Sequence, residues 1–149
     1  MNEQAVTQEG RTLAALAHGS VLLGFFTSGI GGMIAALAIW LAERGRSTYA
    51  AGQALQALVF QAITFVITML AWCCWGLVWL VLILVPLWNN PEVYEGSAPP
   101  AGMLAGFALM AVPLAIWLIT IVYGLYGAVR CLQGHDFRYA LIGRWLKSQ

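Results

Sequence analysis

The sequence predicts an all-α integral membrane protein: a four-helix bundle in which two short helices, or a helical hairpin, precede two long transmembrane helices. Three observations carry that prediction. The 149-residue chain is 61% hydrophobic and only 9% charged, with a mean hydropathy of +0.80, whereas a soluble domain carries about a quarter charged residues. Lys, Arg, Asp and Glu are absent from three windows, residues 12–42, 47–91 and 96–129, each longer than the ~20 apolar residues that cross a hydrocarbon core. Basic residues gather at two places, Arg44 with Arg46, and Arg130 with Arg138, Arg144 and Lys147, which the positive-inside rule assigns to the cytoplasm. A chain of this size fits one small domain. Its net charge of +1 and pI near 7.7 leave no basic field with which to grip nucleic acid.

Residues 1–11 read as a cytoplasmic N-terminal tail. Glu3 and Glu9 stand where a secretory leader would place Lys or Arg, so no cleaved signal is expected. Residues 12–130 read as the transmembrane helical domain. A straight helix over the first window would be about 46 Å long, too long for one untilted crossing. Thr27, Ser28, Gly29, Gly31 and Gly32 form a loop signal in its middle. Two short helices joined by a tight turn follow, each about 20 Å long, so that the pair either spans or re-enters.

After the polar, basic segment Glu43–Arg46, the second window starts amphipathic, with Gln53, Gln56 and Gln61 set among apolar residues. From Ala62 to Trp88 it is nearly all apolar, until Pro86 and Asn89-Asn90-Pro91 stop it. One long tilted helix, first running along the membrane surface and then descending, is the economical reading. The next connection carries Glu92, Glu95, Pro91, Gly96, Pro99 and Pro100 and no basic residue, which marks a loop on the non-cytoplasmic side. The third window starts at Ala101, has a kink expected at Pro113 and ends at Arg130. Residues 131–149 read as an amphipathic cytoplasmic tail.

Trp72, Trp75 and Trp79 share one helix face. Such a stripe could stack on a pigment, a quinone, a haem edge or a partner's helix, or serve as lipid-facing or intramolecular packing. Gly102 and Gly106 form a GxxxG pair that lets another backbone approach, by intramolecular packing against the Trp-rich helix or by dimerisation. These five residues are the candidate partner contacts. His18 is the one side chain within the windows that titrates near neutral pH; it is a candidate for hydrogen bonding to the Thr27–Gly32 loop or to Gln53. Gln53, Gln56, Gln61, Thr64 and Thr68 complete the candidate polar residues at membrane depth, with helix–helix hydrogen bonding as their simplest role.

Chemistry has little purchase. There is no Ser/His/Asp set, no pair of carboxylates inside a window and no Gly-rich loop followed by Lys and Thr. Cys73 and Cys74 are adjacent and point about 100° apart on a helix, so they share no metal, and with Cys131 they form no disulfide framework or zinc spacing. His135 does not supply a second axial haem ligand at the depth of His18. The sequence therefore predicts no enzyme activity, no cofactor and no metal.

Four pieces carry a family likeness: Leu13-Ala-Ala-Leu-Ala-His18, Ile39-Trp40 followed by Arg44, Gly52-Gln53-Ala-Leu-Gln-Ala-Leu-Val-Phe60-Gln61, and the tail from Ala128 to Arg144 with its Gly134-x-x-Phe137-x-Tyr139 run. Together they resemble the small bacterial membrane proteins of unknown function grouped with the channel subunit of the chloroplast inner-envelope protein import translocon. The resemblance spans nearly the whole chain and implies four membrane helices with both ends inside, and no reaction. Relatives commonly carry proline after the tyrosine. Ala140 stands there in this chain, which allows a helix from Phe137 toward Trp145. The function expected is that of an accessory or assembly subunit in the bacterial inner membrane, packed against a larger complex or against itself. The rival is a channel or transporter for a small solute or peptide, working as an oligomer.

Overall fold

In the computed structural model, which describes residues 6–96 and 99–140, the chain is all-helical, with no strand among the described residues. Thr7 starts helix α1 (Gln8–Gly19) by accepting a hydrogen bond from the Gly10 amide at 3.1 Å, which satisfies a donor left free at the first turn. A short helix α2 (Val21–Phe26) follows after a break at Ser20. Helix α3 (Ile30–Glu43) runs back and packs against α1 and α2. The turn between them is Thr27-Ser28-Gly29, with positive φ at Ser28 (53°) and Gly29 (94°).

Two expectations about this window need correction. The loop is tighter than Thr27–Gly32, because Gly31 and Gly32 lie in the first turn of α3. The ascending leg is also interrupted: the Ser20 hydroxyl lies 2.8 Å from the Ala17 carbonyl and 2.9 Å from that of Gly32. A serine that bonds back to its own helix and across to the next offers the backbone an alternative to the helical ladder.

Helix α4 (Thr48–Asn89) is a single element of 42 residues, about 63 Å long at 1.5 Å per residue. Ser47 caps its start, its hydroxyl accepting from the Ala50 amide at 3.2 Å. Pro86 is accommodated near the end of the helix, and the chain leaves it ahead of Pro91, which opens a short 3-10 turn, Pro91–Tyr94. Helices α5 (Ala101–Leu109) and α6 (Ala111–Leu132) complete the chain. They part at Met110, ahead of Pro113 where the kink was expected. Proline cannot donate to the carbonyl four residues earlier, that of Leu109, and its ring clashes there, so the helix ends at Leu109 and breaks at Met110, about one turn upstream. Thr48–Asn89 and Ala101–Leu132 are long and apolar enough to cross a membrane.

The tail also departs from expectation. Residues 135–139 are not helical, and 141–149, where the helix toward Trp145 was expected, lie outside the described residues. Gly134 takes φ +79°, the left-handed conformation that ends helices. Beyond it Phe137 and Tyr139 are buried while Arg138 between them is exposed, an alternation that an extended segment provides and a helix does not.

The chain divides into two compact units. Unit 1 is Met1–Phe65 with Ile119–Gln149, and unit 2 is Val66–Leu118. Unit 1 holds a core of small residues: Ala17, Ala36, Ala54 and Ala57 meet where α1, α3 and α4 come together.

Candidate functional site

Alanine at 50, 54 and 57 keeps the α4 surface low, so α1 comes close enough for polar side chains to meet across the gap. His18, fully buried on α1, faces Gln53, 1% exposed on α4. Its Nε2 lies 3.0 Å from Gln53 Oε1 and its Nδ1 2.9 Å from the Tyr139 hydroxyl. The amide of Gln53 donates from Nε2 to Asp136 Oδ1 at 2.9 Å, and Cys131 Sγ donates to Gln53 Oε1 at 3.5 Å. Asp136 Oδ2 in turn accepts from Arg138 Nε at 2.9 Å.

These partners determine the proton positions. A carboxylate only accepts, so the amide nitrogen of Gln53 faces Asp136 and its oxygen faces His18. His18 then donates from Nε2, and Nδ1 is left to accept the Tyr139 hydroxyl proton. Every donor from Tyr139 through His18 and Gln53 points toward the Asp136 carboxylate. Burial pushes the Tyr139 hydroxyl far above its usual range, which keeps it a neutral donor in this chain.

Aromatic rings wall the network. Phe60 stacks on Tyr139 with centroids 3.9 Å apart and planes 7° apart. Phe137 meets His18 edge-on at 5.4 Å, and Tyr123 meets Tyr139 at 5.2 Å. Helix α6 admits Phe137 at Gly127, where an added Cβ would come 2.7 Å from the Phe137 ring. Phe137 and Tyr139 are therefore sealed into unit 1 by rings and hydrogen bonds together.

A second polar group joins the same helices. Gln61 donates from Nε2 to the Ser20 hydroxyl at 3.1 Å and to the Ala17 carbonyl at 3.3 Å. Its Oε1, and that of Gln56, are buried without a hydrogen-bond partner. Thr64 bonds back to its own helix, to the Phe60 carbonyl at 2.8 Å, and Thr68 is half-buried in unit 2. The polar α4 residues Gln53, Gln61 and Thr64 therefore have separate partners. Gln53 belongs to the His18 network, Gln61 to Ser20, and Thr64 to its own backbone.

In unit 2 the structure brings the tryptophan stripe and the glycine pair together. Trp75 donates from Nε1 to the Gly106 carbonyl at 2.9 Å. Trp75 and Trp79 stack at 5.6 Å with planes 13° apart, and Trp72 meets Trp75 edge-on at 5.4 Å. Trp79 lies so close to Gly106 that a side chain there would collide with its ring, and an added Cβ at Gly102 would come 2.7 Å from the Leu82 carbonyl. Among the described residues no three His, Cys, Asp or Glu side chains form a group that could hold a metal ion. Cys73 and Cys74 are exposed and free, Cys131 buried and free.

A family model of magnetosome magnetite crystal formation proteins matches residues 9–146. The chain belongs to that family. The match runs from the first turn of α1 into the tail, so the His18 network and the unit 2 contact both lie inside the region shared with the magnetite crystal formation family. It carries no evidence about the grouping with the chloroplast translocon. No curated protein and no solved structure matches the chain. Within this family the chain is a small membrane protein, with two helices fit to span a bilayer.

The sequence did not point to Asp136, Cys131, Phe60, Tyr123, Phe137 and Tyr139 as partners of His18 and Gln53. One signal was present: Phe137 and Tyr139, two apart after Gly134, share a face only in extended chain.

Proposed function

We propose that this protein is a non-enzymatic accessory subunit of magnetite crystal formation, one that acts by packing against other membrane proteins or copies of itself. It would sit in a bacterial membrane with both termini cytoplasmic and the Glu92/Glu95 connection on the far side. The observation that carries the reading is the surface of α4. Its most apolar stretch buries none of its residues within the chain, and Trp88 near its end is 89% exposed. Meanwhile Trp75 and Trp79 are already committed to Gly106. Within unit 2 these indoles and the glycine pair hold α4 against α5, and Trp72 with the apolar residues around it remains for a partner helix.

The test is co-purification in mild detergent. Replacing Trp72 with Leu, with Trp75 and Trp79 kept on Gly106, should reduce recovery of associated membrane proteins and shrink the native mass of the extracted particle. An unchanged particle counts against the reading. The channel alternative rests on the unpartnered Oε1 atoms of Gln56 and Gln61, which would suit a polar solute; flux in reconstituted vesicles, abolished by Gln61→Leu, would favour it over the accessory role.

A further inference from the structure

We propose that α1–α3 is a re-entrant hairpin whose Phe25–Phe26 tip stops among lipid acyl chains without reaching the opposite headgroups. The inference rests on the orientation given above and goes beyond it, by stating how deep residues 8–43 go and what touches their tip.

Length is the first argument. Helix α3 has 14 residues, about 21 Å at 1.5 Å per residue, short of the ~30 Å hydrocarbon core. The uncharged part of the ascending leg, residues 12–26, would measure about 22 Å even without the break at Ser20. Both legs fall short by a similar amount.

Charge and anchors agree. Glu9 and Arg11 stand at one end of the hairpin and Glu43, Arg44 and Arg46 at the other. Trp40 lies at that same charged end, with the Arg44 guanidinium 5.8 Å from its ring centroid, the kind of amphipathic pairing found at a membrane–water interface. Between Gly19 and Ile39 there is no Trp, Tyr, His or charged residue, so the tip has nothing with which to anchor at a second interface. Its large outward side chains are apolar instead, Phe26 83% exposed, Leu23 51% and Ile30 50%, with the short Thr27 and Ser28 between them.

The turn also pairs several of its own backbone groups internally, as lying in hydrocarbon requires. Thr27 Oγ1 donates to the Leu23 carbonyl at 2.6 Å and accepts from the Gly31 amide at 2.8 Å. The Gly29 amide donates to Gly24 at 2.7 Å and the Ile30 amide to Thr27 at 3.2 Å. A turn in water has no such need. Lower in the hairpin the Ser20 hydroxyl donates to the Gly32 carbonyl and accepts from Gln61 Nε2.

The experiment uses the full chain with Cys73→Ala and Cys74→Ala, keeping the buried Cys131, and places a thiol at the tip with Ser28→Cys or, separately, Phe26→Cys. A membrane-impermeant maleimide is applied to right-side-out and inside-out vesicles, with Glu95→Cys as the outer-face control. The tip thiol should stay at background from both faces and react only after detergent solubilisation. A spin label there should collide with dissolved oxygen and not with a water-soluble nickel chelate. Labelling from the outer face would mean a full crossing, labelling from the cytoplasmic face a solvated tip, and protection from both oxygen and nickel a tip covered by protein; each overturns the proposal. If Glu95→Cys reacts from the cytoplasmic side, the orientation fails on its own, and the tip result is still read against both faces.

Discussion

Unit 1 and unit 2 are built from similar apolar sequence and are held together in opposite ways. Unit 1 buries polar side chains, His18, Gln53 and Gln61, behind alanine-lined helix contacts and a wall of aromatic rings. Unit 2 buries almost nothing: among its described residues Gly106 and Pro113 are the buried ones, and its internal contact is indole against glycine backbone. In hydrocarbon, burying apolar surface yields no gain, because lipid tails are as apolar as leucine, and association rests on close packing and hydrogen bonds. Unit 2 follows that rule. Unit 1 adds a hydrogen-bonded interior that gives the fold its specificity, since each member left unpaired would carry a desolvation cost.

The largest effect should come from Tyr139→Ala. It removes a buried ring stacked on Phe60 and leaves His18 Nδ1 without its donor. Truncating a buried aromatic costs about 3–5 kcal/mol. Cys131 is fully buried beside the network, so in a Cys73→Ala/Cys74→Ala background its thiol should become reactive to maleimide in this variant, at a lower temperature than in the parent. Tyr139→Phe keeps the ring and should lose about 1 kcal/mol for the missing hydrogen bond. If Cys131 stays protected in Tyr139→Ala, the tail is not part of the core of unit 1.

The middle effect belongs to unit 2. Gly106→Ala forces a methyl into the Trp79 ring, an overpacking that costs about 1–3 kcal/mol. Tryptophan fluorescence should shift as Trp75 and Trp79 unstack, while Cys131 keeps its protection. A Gly106→Ala variant that exposes Cys131 would show that the two units do not respond independently, and the contrast drawn here would fall.

Helix content was legible from charge-free windows and periodicity; for His18 the sequence offered either the Thr27–Gly32 loop or Gln53 as a hydrogen-bond partner without choosing, and the structure places Gln53 Oε1 3.0 Å from its Nε2. The tryptophan stripe and the GxxxG pair were both legible as contact surfaces. Packing of that pair against the Trp-rich helix was legible as one of two alternatives, the other being dimerisation; the choice between them was not, since a glycine face accepts a backbone or a ring from any helix that reaches it. The breaks at Ser20 and Met110 lay beyond local reasoning for different reasons: Ser20 bonds across to Gly32, a tertiary event, while the effect of Pro113 lands one turn upstream of the proline. In the tail, Ala140 removed one helix stop, and Gly134, with the pull of the buried site on Phe137 and Tyr139, outweighed that freedom.

The smallest effect tests whether the polar chain depends on its exposed end. Arg138 and Asp136 form an ion pair with side chains 45% and 52% exposed, and such pairs in water contribute little, about 0–1 kcal/mol. Asp136 keeps its inner partner, Gln53, whether or not the guanidinium is present. Arg138→Ala should therefore move the unfolding midpoint by an amount equivalent to at most about 0.5 kcal/mol, an effect further reduced by salt, with Cys131 still unreactive. A loss as large as that of Tyr139→Ala would mean that the carboxylate needs its outer cation to hold Gln53. The interior of unit 1 would then be organised from the surface inward, with His18 positioned by a charge at the end of the chain and not by the rings around it.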